Sequence, residues 1–362
     1  MKPYDNPSNG RGVGAMNRFL MQWVLPAAMI TQAATAAAGG LDRIGTSGAQ
    51  ELRIPVGAAS IATGGSTVAL GDGLRNIYWN PASLAATDQS EGMISYSSYI
   101  GDSKVNYGAI STHLGSQGQL GFSFKILNIG DIIVTTEDAP DGTGEILNPN
   151  FGVFGVTYGR RMTDRVHLGI TGAYVAEKVA DVTATGFAVD LGVQYDTGWR
   201  GLRFGFAMKN IGPEMRFTGS NLEQRVVLPS DDPSASGHVL QLQAASFELP
   251  SYLQIGMSYD IAMGGDHHST IFGAFQGNNF STDEYRLGAE VPIGNFLALR
   301  AGFVGQMPLK EEDRMQNYLY SYSYGAGFNF KLGDRPLAFD WAGTHVGDFF
   351  DDNQQVSLHI AF

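Results

Sequence analysis

From residue 91 to its end, the chain is written in short segments whose apolar side chains recur at every second position. The last of them is the cleanest. Val356, Leu358, Ile360 and Phe362 share one parity, and Gln355, Ser357, His359 and Ala361 share the other. A further segment places Tyr318, Tyr320, Tyr322, Tyr324, Ala326, Phe328 and Phe330 on a single parity. A soluble sheet rarely presents four successive tyrosines to water. A membrane barrel uses such residues as an aromatic girdle where bilayer meets water. Alternation of this kind fits strands of about 9–11 residues with one face to lipid and the other to a lumen.

Fourteen such segments are expected, near 91–100, 104–113, 119–129, 151–160, 165–177, 184–196, 200–209, 251–260, 268–277, 283–291, 295–305, 318–332, 336–345 and 354–362. An even number suits a bacterial single-chain barrel. The connections alternate in length. Those at 130–150, 210–250 and 306–317 are long, whereas 114–118, 161–164, 197–199, 292–294 and 333–335 are short. Long loops outside and short turns inside are the usual asymmetry of such barrels. The outer loops are acidic: 130–150 contains Asp131, Glu137, Asp138, Asp141 and Glu145 with no Lys or Arg. The expected fold is therefore all-β, a transmembrane antiparallel barrel of about 14 strands over residues 91–362.

Residues 1–38 read as a signal peptide. Lys2, Arg11 and Arg18 precede an apolar run from Phe19 to Ile30, and alanines from Ala33 to Ala38 supply a cleavage signal, placed near Ala38–Gly39. Met16 is a candidate alternative start. Residues 39–90 do not alternate; small residues dominate and Gly-Gly and Gly-Asp-Gly steps punctuate them. Asn80 is suited to cap a short helix with Pro81 at its first position. A compact segment of this kind is expected to fold as a plug inside a barrel that would otherwise be an open hole.

The residues of this plug resemble the N-terminal signature of the PorV/PorQ-like branch of FadL-type outer-membrane barrels. The matching pieces are Gly45-Thr46-Ser47-Gly48-Ala49-Gln50, then Gly64-Gly65-Ser66-Thr67-Val68-Ala69-Leu70, then Tyr78-Trp79-Asn80-Pro81-Ala82-Ser83-Leu84. Ser83 stands where a glycine is usual, and Ala59 and Thr63 stand where Arg and Met are common. The resemblance implies a cell-outer-membrane protein of type IX secretion and surface attachment, with secreted cargo proteins and other secretion components as partners. Its FadL side implies the alternative, a transporter of long-chain fatty acids or other hydrophobic molecules. Outer-membrane lipid is a partner on either reading.

Composition narrows the rest. Net charge is −12 with no basic patch among the aromatics, which sets nucleic acid aside. The absence of cysteine removes disulfides and thiol chemistry. No nucleophile elbow, phosphate loop or zinc-binding His-Glu-x-x-His occurs, so neither catalysis nor a cofactor is expected. Asp266-His267-His268 is read as a turn and not as a metal site. The candidate functional residues are the plug motif Tyr78, Trp79, Asn80, Pro81 and Ala82, and the terminal Phe362 as an outer-membrane targeting signal. Lys125, Asp190, Arg203, Glu284, Arg286, Glu290 and Arg300 are the charges expected to face the lumen. Of these, Arg286, Glu290 and Arg300 are expected to anchor the plug.

Overall fold

The computed structural model describes residues 43–227, 237–264, 267–306, 320–347 and 350–362. The signal peptide, Asp266, Tyr318 and most of the 306–317 loop lie outside the described residues.

Fourteen strands form one closed antiparallel barrel. They are β1 (Glu91–Ser98), β2 (Lys104–His113), β3 (Gln119–Asn128), β4 (Asn150–Thr163), β5 (Val166–Val179), β6 (Val182–Asp196) and β7 (Arg203–Ile211). The second half comprises β8 (Tyr252–Gly264), β9 (His267–Asn278), β10 (Glu284–Ile293), β11 (Leu297–Gln306), β12 (Tyr320–Leu332), β13 (Arg335–Val346) and β14 (Asn353–Ala361). Each strand pairs with its sequence neighbours. The ring closes where Glu91 of β1 faces Ala361 of β14. Closure leaves no sheet edge, which a strand surrounded by lipid requires. No helix of the described residues is long and apolar enough to cross a membrane.

The alternation read from sequence sets which side chains face out. Phe122, Phe154, Phe187, Leu287 and Phe303 are exposed, as are Tyr322, Tyr324, Phe328 and Phe330. Their neighbours Gly121, Lys125, Asp190, Arg300 and Asp340 are buried on the lumen side. Phe362 follows β14, is exposed, and donates its backbone N–H to Ser90 at the foot of β1.

Residues 43–90 run through the lumen as a series of single turns. Helix α1 (Ala58–Ala62) is joined by 3-10 turns at Gln50–Arg53, Thr67–Ala69, Gly73–Asn76 and Pro81–Ala86. Short turns built from small residues let the segment fold back on itself within the barrel's width. Its core of Val56, Leu74, Ile77 and Leu84 packs against Met93, Val105 and Tyr107 of the wall.

Of the register shifts in the wall, the one between β6 and β7 bears on the lumen. Between β6 and β7 the register jumps, Val189 facing Ile211 but Leu191 facing Met208. The extra length is taken up at Lys209 and Asn210, where Asn210 has a left-handed φ of 59°. Lys209 faces the lumen by parity with Gly205 and Ala207, and the bulge brings Asn210 in beside it, so that both are buried.

Candidate functional site: a plugged lumen beneath an outer vestibule

The lumen has two storeys. Toward the end with short turns it is filled by the plug. Toward the end with long loops it opens into a cavity of 890 Å³.

The filling depends on lumen-facing glycines. Gly159, Gly169 and Gly192 face one another across β4, β5 and β6, and Gly205 faces Gly256 across β7 and β8. With no side chains there, plug backbone lies directly on wall backbone. A Cβ at Gly159 would sit 3.0 Å from Leu84 Cβ, and one at Gly169 or Gly192 would run into Pro81 or Asn80. Glycine supplies 48 of the 362 residues, well above the ordinary share of about 7%, and this girdle is one use of the excess.

Asn80 is the joint of the plug. Its side-chain carbonyl accepts from the Ala82 N–H at 3.0 Å and so caps the turn that begins at Pro81. Its amide donates to Val68 O in the plug at 2.7 Å and to Val193 O of the wall at 3.1 Å. The amide accepts the cap bond through its oxygen and has two N–H donors left for plug and wall. The Trp79 indole donates to Val56 O at 3.1 Å, and its ring is packed edge-on to Tyr78. Tyr78 donates its hydroxyl to Leu52 O at 3.0 Å. The Lys125 and Lys209 ammonium groups approach the Tyr78 ring to 4.6 and 5.0 Å. Lys125 donates to Ile54 O at 3.0 Å, and Lys209 donates to Tyr78 O at 2.7 Å while ion-paired with Asp190 at 2.5 Å. Pro81 and Ala82 are fully packed against the glycine girdle. Ser83 bonds within the plug: its hydroxyl accepts from the Asp72 N–H and donates to Gly73 O.

The three lumen charges singled out from sequence divide into two groups. Arg286 touches the plug itself, donating to Gly64 O at 3.0 Å beside the Trp79 ring. Glu290 and Arg300 pair with each other at 2.5 Å and reach the plug through a residue that sequence reasoning passed over. Asp340 on β13 accepts from Arg300 at 2.7 Å and from Arg75 of the plug at 2.8 Å. Strand parity was the available signal: Asp340 alternates with the outward Phe339 and Trp341. Lys209, the second residue missed, shares the lumen parity of Arg203, so the same signal pointed to it.

The vestibule floor is formed by Arg53, Tyr78, Trp79 and Arg286, and Phe151, Phe217 and Phe247 line its sides. Arg53 and Arg286 both pair with Glu284. The start of the described chain lies at this end. Arg43 pairs with Glu248 of the long 212–251 connection at 2.6 Å, and the Gly48 N–H donates to Glu248 O. Because the chain has no cysteine, a single Thr46→Cys variant carries a unique thiol at an exposed position. It should react with a membrane-impermeant maleimide on intact cells; reaction only after permeabilisation would invert this topology.

At the cavity wall, Glu51 of the plug meets Glu177 of β5, and Glu51 is 2% exposed. No donor reaches either Glu51 oxygen among the described residues. Burial first, and then Glu177, push the Glu51 carboxyl from 4.5 up to about 8. A raised carboxyl pKa means that the folded state holds the proton more tightly than the unfolded chain. Its contribution is therefore fully present below pH ~4.5 and is lost as pH rises through ~8. Protease protection of residues 45–53 should fall between pH 6 and pH 9, and a Glu51→Gln variant should flatten that dependence.

A closed 14-strand barrel, a glycine-bedded plug and an outer vestibule together define the class: an outer-membrane β-barrel with the FadL-type fold. A family model described as "Type IX secretion system protein PorV" matches residues 41–231, just over half of the chain. The chain belongs to the PorV family.

Solved structures share the fold at low identity. The Pseudomonas putida toluene transporter TodX is 13% identical, with a TM-score of 0.54 over 84% of this chain and 97% of that one. The CymD monoaromatic hydrocarbon channel is 13% identical, with a TM-score of 0.52 over 85% and 97%. A Pseudomonas aeruginosa FadL homologue is 11% identical, with a TM-score of 0.50 over 85% and 98%. No curated protein sequence matches the chain.

Proposed function

We propose that this barrel serves type IX protein secretion by receiving exported proteins at the cell surface, with the outer loops 130–150 and 210–250 as the docking face. On this reading it reaches the outer membrane through cleavage of residues 1–38, and it carries out no catalysis. One observation supports the proposal beyond family membership: plug backbone is bedded on wall backbone through the lumen glycines, so the inner storey is packed where the plug crosses Gly159, Gly169, Gly192 and Gly205. The working surface is then the loop end. There a short hairpin, Ile132–Ile133 with Ile146–Leu147, presents exposed Ile132, Ile133 and Ile146 among the acidic residues of its loop. Apolar anchors within a charged rim suit protein contact.

The test is purification from outer membranes in mild detergent, with everything bound identified by mass spectrometry. A secreted protein in near-equal amount supports the reading. Deleting residues 131–147 should then abolish its recovery while leaving the barrel heat-modifiable on gels.

A second reading, transport of a hydrophobic molecule, is favoured by the 890 Å³ vestibule with its aromatic sides and the arginines Arg53 and Arg286 on its floor. A bound fatty acid or aromatic compound with no protein partner would sink the secretion reading and support this one.

A further inference from the structure

We propose that the outer face of β1–β6 is a built groove that retains one acyl chain of an outer-membrane phospholipid. The groove has a volume of 840 Å³ and lies on the opposite side of the wall from the plug. Two adjacent rows of outward positions form it. Strand register aligns Ile94, Gly108, Phe124, Phe154, Tyr174 and Phe187 in the first row. It aligns Ile110, Phe122, Val156, Gly172 and Val189 in the second.

The two outward glycines are not equivalent. At Gly108 the Phe124 ring lies over the missing side chain: a Cβ there would meet Phe124 Cζ at 2.6 Å. The gap is already filled by protein. At Gly172 nothing lies within 4 Å of where a Cβ would stand. Behind it the wall is thin and small, with Ser123, Gly155 and Ala173 reaching the groove from the lumen-facing positions. Phe154, Tyr174 and Phe187 stand up around the depression, and the Tyr174 and Phe187 rings lie 5.4 Å apart. The result is a recess open to lipid and walled by rigid rings.

The chemistry of the recess selects its occupant. Its side-chain polar atoms are the Ser123 and Tyr174 hydroxyls alone. A protein strand laid here would leave backbone N–H and C=O groups unpaired in hydrocarbon, whereas an acyl chain carries none. The dimensions agree. Six strands span five spacings of about 4.8 Å, or about 24 Å. With strands tilted by about 40°, that line climbs about 15 Å along the membrane normal, half of a hydrocarbon core of about 30 Å. The groove is thus one leaflet long. Lipid tails are as apolar as the wall, so retention comes from van der Waals contact in a shaped recess.

The experiment uses the full barrel purified in mild detergent, stripped of lipid, then mixed with a palmitoyl-oleoyl phosphatidylethanolamine and measured by native mass spectrometry. The wild-type barrel should retain one lipid through detergent dilution. Gly172→Trp, which fills open space and leaves the packing of the wall alone, should retain about fivefold less, and Gly172→Ala should behave as wild type. Both variants should keep the wild-type heat-shift on gels. Equal retention by wild type and Gly172→Trp, or no retained lipid at all, would overturn the proposal. So would a co-purifying protein released by Gly172→Trp, since that would make the face a protein contact.

Discussion

Gly192→Val should release the plug from the barrel. A valine at this position drives its first carbon into the Asn80 side-chain carbonyl and sets it 2.9 Å from both the Ala82 nitrogen and the Pro81 ring. These are backbone and ring atoms, which cannot step aside as the end of a flexible side chain does. Overpacking alone costs about 1–3 kcal/mol. Here it also displaces Asn80, whose amide and carbonyl bind Val68, Val193 and Ala82, at about 1 kcal/mol for each bond lost. The expected total is about 3 kcal/mol or more, and the joint between plug and wall carries it. Limited proteolysis of residues 50–86 in the purified barrel reads the outcome. Gly172→Leu is the control, since it adds bulk to the neighbouring strand on the outward face, where nothing lies within 4 Å. If the two variants gave the same protection, the glycine girdle would not be what seats the plug.

Asp340→Ala should have a comparable effect by different physics. Asp340 has a side chain 2% exposed and holds two guanidiniums, Arg300 of the wall at 2.7 Å and Arg75 of the plug at 2.8 Å. Removing the carboxylate strands buried positive charge in the lumen. Breaking a buried pair in this way costs about 3–5 kcal/mol, much more than the pair itself contributes. Glu290→Ala should cost clearly less. Its side chain is 33% exposed, and Arg300 retains Asp340 when it is gone. Urea midpoints and plug proteolysis of the two variants side by side test the ranking. Equal losses would place the anchor at Arg300 alone and remove Asp340 from its centre.

These two residues also mark how far a sequence can be read. The strands were legible because a barrel wall imposes period two on every segment. β2 occupies Lys104–His113, the span that alternation placed at 104–113. β14 occupies Asn353–Ala361 against an expected 354–362. The larger departures are at the ends of β4 and β8, which run several residues past the expected limits, and at the start of β7, which begins later than expected. Beyond the membrane band the outward face need not be apolar, so the pattern that marks a strand fades before the hydrogen bonds do.

The site was legible only in part. Asn80-Pro81 announced a capped turn through local chemistry, because a cap is made within three residues. Parity put Asp340 on the lumen face but said nothing of what it would bind. Its partners Arg300 and Arg75 lie 40 and 265 positions away, and a lone aspartate in a strand is as readily a solvated one. Lys209 lay on the lumen parity of Arg203; the residue that parity could not place was Asn210, since alternation fails wherever an extra residue enters a strand.

What the sequence determined by itself was the wall. Its strand number, its faces and its long and short ends all follow from a repeat that operates between residues two apart. What only the tertiary structure decided was the lumen: which glycines bed the plug, which carboxylate joins Arg75 to Arg300, and where the vestibule begins. Those contacts bring together segments hundreds of residues apart, and no local period records them. Their energies come from backbone closeness and from burial of charge, both properties of the closed barrel and not of any segment within it.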